Sequence, residues 1–230
     1  MFLQFVLTGI GGLLIILLCE ALIKLKRIKG EYARKLVHIS ISVYAASWAF
    51  FLPYWLIVLI SLFLIAGVLI AKRLQLMNSM RPVKRLTNGE LYFAGAIGIT
   101  AALFHEPAIY AIAILHLGLA DGFAAIVGVG MSEKKNRFRY RGAAKSIEGT
   151  LTFVAVSFFL NVAYWIWFAS HPVCNSAALF IAAYSLICAL VLAGLEIASP
   201  KGSDNIIIPV ASGFFLWIPF IVVGSSMLFR

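Results

Sequence analysis

Residues 108–130 read AIYAIAILHLGLADGFAAIVGVG, an apolar run with one charged residue, Asp121, inside it. A helix needs roughly 20 consecutive, mostly apolar residues to cross the hydrocarbon core of a bilayer, so this stretch predicts a transmembrane helix. Asp121 then lies about nine residues, or roughly 13 Å of helical rise, from the end of the span. A carboxylate at that depth costs at least about 2.5 kcal/mol and by default marks a functional site. The bland alternative is an Asp held by a neighbouring Lys or by backbone.

The rest of the chain has the same character. Of its 230 residues 63% are hydrophobic and 12% charged, and the mean hydropathy is +1.00. A soluble domain carries roughly a quarter of its residues as charges, so a water-soluble fold is excluded. Further apolar runs lie at 3–23, 36–52, 54–71, 91–104, 149–169, 177–195 and 206–229. They predict an all-α, polytopic membrane protein with 7 to 8 transmembrane helices, arranged as a single transmembrane domain over residues 1–230. Pro53 alone separates the second run from the third, and the fourth is short. The first run has no basic residue before it and no small-residue cleavage site, which predicts a retained helix and not a removed signal peptide.

A net charge of +10 would suggest nucleic acid in a soluble protein. Here the cations alternate between loops. Lys24, Lys26, Arg27, Lys29, Arg34 and Lys35 follow the first run, Lys72, Arg73, Arg81, Lys84 and Arg85 the third, Lys134, Lys135, Arg137, Arg139, Arg141 and Lys145 the fifth, and Lys201 the seventh. The intervening loops hold no Lys or Arg. This positive-inside pattern predicts a cell-membrane protein with a basic cytoplasmic face, both termini outside, and no nucleic-acid partner. Trp48, Trp55, Trp165 and Trp167 flank the uncharged loops, where indoles settle at headgroup level. Cys19, Cys174 and Cys188 show no disulfide or zinc spacing.

Four groups of residues carry candidate chemistry on the basic side. From Asp121, Ala124, Ala125 and Gly128 follow at helical spacing as a small-residue stripe that could admit a ligand, while Gly118 and Gly122 form a GxxxG pair suited to close helix packing. Lys145-Ser146-Ile147-Glu148-Gly149-Thr150, preceded by Arg141, opens the sixth run. Cations and hydroxyls at a helix N-terminus suit phosphate and Glu148 could hold Mg²⁺, but Ser146 as an N-cap with Glu148 answering the dipole is the ordinary reading. Glu196, Asp204 and Asn205, with Lys201 between them, form the acidic cluster of the basic face. Lys35 and His38 open the second run, His38 within reach of either a phosphate or a neighbouring helix. His105, His116 and His171 read as structural.

Taken together, the basic-His start of the second run, Asp-x-x-Ala-x-x-x-Gly at 121–128, Lys-Ser-x-Glu-Gly-Thr at 145–150 and Glu-x-x-Ser-Pro-Lys-Gly-x-Asp-Asn-x-x-x-Pro at 196–209 resemble the CTP-dependent lipid kinases. That family includes dolichol kinase, phytol kinase and CTP-dependent diacylglycerol kinase. The likeness spans residues 34–209. It implies a cytoplasmic nucleotide site with Asp121, Lys145, Glu148 and Asp204 catalytic. Gly128, Arg141, Lys145, Ser146, Gly149, Thr150, Lys201, Asn205, Lys35 and His38 would hold nucleotide, and Asp121, Glu148, Glu196 and Asp204 would hold Mg²⁺. CTP would be the donor, a lipid alcohol the acceptor, and the bilayer the third partner; a homo-oligomer is left open. Where the family's glycine stripe continues with another Gly, this chain has Ser132. Asp-x-x-Ala-x-x-x-Gly followed by Lys-x-x-Glu-Gly is also similar to phosphatidate cytidylyltransferase, but that enzyme's C-terminal His-Gly-Gly and Asp-Arg-x-Asp are absent, which favours the kinase. A proton-coupled transporter, with Asp121 and His116 as an intramembrane relay, is the competitor from another class.

Overall fold

Inside a bilayer every backbone N–H and C=O must find a partner within the protein, and a helix provides it locally. A computed structural model describes residues 2–74, 88–131, 133, 136–140, 143–168, 175–200 and 202–227, and within them each apolar run is helical. The helices are α1 (Phe2–Leu25), α2 (Glu31–Ser47), α3 (Tyr54–Arg73), α4 (Gly89–Leu103), α5 (Pro107–Leu115), α6 (Asp121–Gly130), α7 (Ile147–Phe168), α8 (Asn175–Ala198) and α9 (Asp204–Met227). Helices α5 and α6 form one continuous rod.

Among the described residues, five segments are long and apolar enough to cross a membrane: Leu3–Leu25, Tyr54–Ala71, the α5–α6 rod Pro107–Gly130, Ile147–Trp167 and Ala178–Ala198. The chain is thus a predominantly α-helical membrane protein with several spans. The expected 7 to 8 crossings depend on the remainder, because α2 has 17 residues and α4 has 15, and the apolar stretch Asp204–Ile218 of α9 is also short.

Packing follows from which faces are apolar and small. α3 lies along α4, α7 along α8 and α6 along α7, while α2 packs on the α5–α6 rod and α9 on α4, α5 and α8. One core cluster joins α2 to α5 through Ala45, Ile57, Ile97, Tyr110 and Ile114. A second, made by Ala120, Ala124, Phe153, Leu192, Ala193 and Ile208, joins α6 to α7, α8 and α9. Large apolar side chains such as Leu14, Leu62, Phe159 and Leu179 point outward, as they do where the solvent is lipid. Cys19 and Cys188 are free thiols in buried positions; Cys174 and His171 lie outside the described residues.

Two local features depart from the expected plain helices and loops. Between α5 and α6 the rod widens into a π turn over His116–Ala120, immediately before Asp121. Between α6 and α7 the basic loop contains a hairpin, β1 (Arg137–Tyr140) pairing antiparallel with β2 (Ala143–Ser146). The alternation Arg-Phe-Arg-Tyr has the period of two that a strand requires.

Candidate active site

Asp121 is the first residue of α6, directly after the π turn, and its residue is 8% exposed. Its position is fixed by α2. A Cβ on Gly118 would collide with Ser42, and one on Gly122 with Ile39, so the GxxxG pair is a contact face that lets α2 approach. That approach lays Lys35 against Asp121 in a buried ion pair. His38 Nε2 donates to the Leu117 carbonyl at 2.9 Å and stands 3.5 Å from Asp121 Oδ2. Asp121 is therefore held by a lysine, and that lysine is itself one of the expected site residues.

Lys145 closes the other side of the site. At the end of β2, it forms an ion pair with Glu196 of α8 and comes within 3.8 Å of Asp204 at the head of α9. Oxygens of Asp121, Glu196 and Asp204 all lie within 4.8 Å of one another. The turn before α9 is locked by Asn205, whose Nδ2 donates to the Gly89 carbonyl at 2.8 Å. Gly202 takes φ 85° there, and a Cβ on it would meet Gly89 Cα at 3.2 Å. Asn205 thus ties α9 to α4, a positioning part.

Ser146 caps α7, its Oγ accepting from Gly149 N at 3.1 Å, as the ordinary reading of the segment had it. A Cβ on Gly128 would lie 2.9 Å from Ser146 Oγ, and one on Gly149 2.8 Å from the Ala124 carbonyl, so both glycines bring α6 and α7 together. The Glu148 carboxylate accepts a hydrogen bond from Asn136 Nδ2 and does not belong to the cluster of three carboxylates. Thr150 is half-buried in the first turn of α7. Arg141 and Lys201 lie outside the described residues. Glu148 apart, the structure brings the expected acids to one point, and it pairs Lys35 and Lys145 with them.

The charge balance at that point is informative. Three carboxylates set against Lys35 and Lys145 leave one carboxylate in excess. Hard divalent cations take oxygen ligands, and Mg²⁺ is commonly held by one or two carboxylates plus phosphate oxygens. An all-oxygen set left net negative by its own lysines fits such an ion. What spacing did not reveal is that each lysine pairs across the fold with an acid from another motif, and that Asn136 donates to Glu148. The Asn136 contact carries no recognisable signal in the sequence.

Fold and site together define a multi-pass α-helical membrane protein with a compact acid–lysine cluster at one end of its helices. The chain is 32% identical over 209 residues to phytol kinase from Synechocystis sp., a match covering 88% of this chain and 85% of that enzyme. It belongs to the lipid kinase family that includes phytol kinase, as its motifs suggested. No family model matches the chain, and no solved structure matches it.

Proposed function

We propose that this protein transfers the γ-phosphoryl group of CTP to the hydroxyl of a lipid alcohol, a phytol-like prenol in the first place, at the cytoplasmic face of the cell membrane. The observation that carries the reading is the convergence of Asp121, Glu196 and Asp204 with Lys35 and Lys145, in a chain that is kin to a phytol kinase over most of its length. The positive-inside distribution of Lys and Arg supports the cytoplasmic placement.

Phosphoryl transfer asks a protein mainly to position two reactants and to neutralise developing charge. Asp121, Glu196 and Asp204 would hold Mg²⁺, which supplies charge neutralisation at the phosphate oxygens. Lys145, beside Glu196 and Asp204, neutralises the γ-phosphate, and Lys35 holds Asp121 in place. The lipid hydroxyl oxygen forms a bond to Pγ while the bond from Pγ to the β,γ-bridging oxygen breaks and CDP leaves. The hydroxyl proton passes to a carboxylate of the cluster that the cation leaves free. The acceptor approaches through the bilayer, and an apolar groove lined by Tyr32, Leu36, Ile39, Phe123 and Ile126 runs along α2 and α6, the two helices that carry Lys35 and Asp121.

The test gives purified protein CTP labelled at the α- or the γ-phosphate, with phytol, other prenols, diacylglycerol and phosphatidate. Label from the γ-position in a prenol is the expected result. Label from the α-position in lipid would make the protein a cytidylyltransferase instead, and no label in any lipid would sink the kinase.

A further inference from the structure

The hairpin at the mouth of the site has two distinct faces. Its register sets Arg137 opposite Ser146 and Phe138 opposite Lys145, and directly opposed residues of an antiparallel pair project to the same side. Arg137 Nη2 donates to the Val129 carbonyl at 3.1 Å and Ser146 rests against Gly128, so that side is turned to the end of α6. The other side carries Lys145, whose ammonium reaches Glu196 and Asp204. Phe138 shares this side, with its Cβ about 5 Å from that of Lys145. Tyr140, two residues further along the strand, shares it too. Phe138 is half-buried and Tyr140 is 44% exposed. Two aromatic side chains therefore share the strand face of the lysine that meets the acid cluster, one half-buried and one exposed.

We propose that Phe138 and Tyr140 form a stacking platform for the nucleobase of the phosphoryl donor. This rests on the nucleotide-kinase reading above and names the subsite which that reading lacks. Phosphates drawn to the Lys145 ammonium and the carboxylates leave the base directed back along the lysine stem, onto the rings. Stacking on aromatic side chains holds any base by its face, without reading its edge. The platform therefore contributes affinity for the whole nucleotide and none for its phosphate chain alone. A pair of aromatics that only anchored the hairpin among lipid headgroups, where Tyr and Trp gather, would make no such distinction.

The experiment measures, by calorimetry on the full chain in detergent, the affinities of CTP and of inorganic tripolyphosphate. The proteins compared are wild type, Phe138→Leu, Tyr140→Leu and the conservative Phe138→Tyr. The leucine variants are expected to weaken CTP by about tenfold and to leave tripolyphosphate within about twofold, while Phe138→Tyr retains CTP affinity. Unchanged CTP affinity in both leucine variants, or an equal loss of CTP and tripolyphosphate, overturns the platform and leaves the kinase standing if the wild type phosphorylates a prenol. A wild type that binds neither compound and phosphorylates no lipid removes the kinase reading, and the platform with it.

Discussion

Lys35 on α2 and Asp121 at the head of α6 lie 86 positions apart in the chain and meet in a buried ion pair. Their side chains are 3% and 11% exposed. Breaking a buried pair by removing one partner leaves an uncompensated charge and typically costs about 3–5 kcal/mol, whereas replacing both partners with apolar residues is often neutral. Lys35→Met is accordingly expected to lose stability on that scale, and the double variant Lys35→Met/Asp121→Leu to recover most of it while remaining inactive. Unfolding in mixed micelles reads the difference. A double variant no more stable than the single one would show that the pair is not the element holding α2 to α6.

Lys145 is expected to act on the reaction more than on the fold, because it stands at a strand end beside two acids. Removing a preorganised group that meets developing charge costs about 10²–10³ in kcat. Lys145→Ala should fall in that range and Lys145→Arg should recover part of it, as measured by steady-state turnover with CTP and a prenol. An alanine variant with near-normal kcat would remove the lysine from the mechanism.

The carboxylate cluster makes a metal prediction that does not depend on turnover. Glu196→Gln and Asp204→Asn should each weaken Mn²⁺ binding, followed by electron paramagnetic resonance, by about tenfold or more, since cation affinity follows the charge count of the ligands. Glu148→Gln should weaken it far less, because that carboxylate is engaged by Asn136. Equal effects at all three positions would place Glu148 in the cation site after all.

Helix contact, and not ligand contact, explains Gly122. A side chain there collides with Ile39, and overpacking costs typically about 1–3 kcal/mol. Gly122→Leu should lose stability in that range and also lose activity by parting Lys35 from Asp121. Gly194 has open space around it, and Gly194→Ala should be tolerated. Thermal melting of both variants, with activity alongside, checks the contrast.

How much of this was legible beforehand differs from residue to residue. Asp121 announced itself because a carboxylate in an apolar run is too costly to be incidental, and the helical runs followed from length and hydropathy alone. The acidic group Glu196, Asp204 and Asn205 could be picked out because acids are scarce on a basic face, although the positioning role of Asn205 on Gly89 could not. Long-range pairing is what spacing does not encode. Lys35 meets Asp121 across the fold and Glu148 accepts from Asn136, and neither contact can be read from the spacing of the residues. The π turn before Asp121 leaves no trace in an apolar helix, since all of its residues suit an ordinary one. The hairpin does leave one, the alternation of Arg137 to Tyr140, hidden within a loop dense in positive charge.

The central claim is that lipid phosphorylation takes place at the cluster built around Asp121. Its most direct measurement is transfer of γ-labelled phosphate from CTP to phytol by wild type and by Asp121→Asn, two proteins that differ by one oxygen-for-nitrogen exchange, each shown to be monodisperse in detergent. The account predicts labelled phytyl phosphate from the wild type and none above background from the variant. Comparable label from both would contradict it.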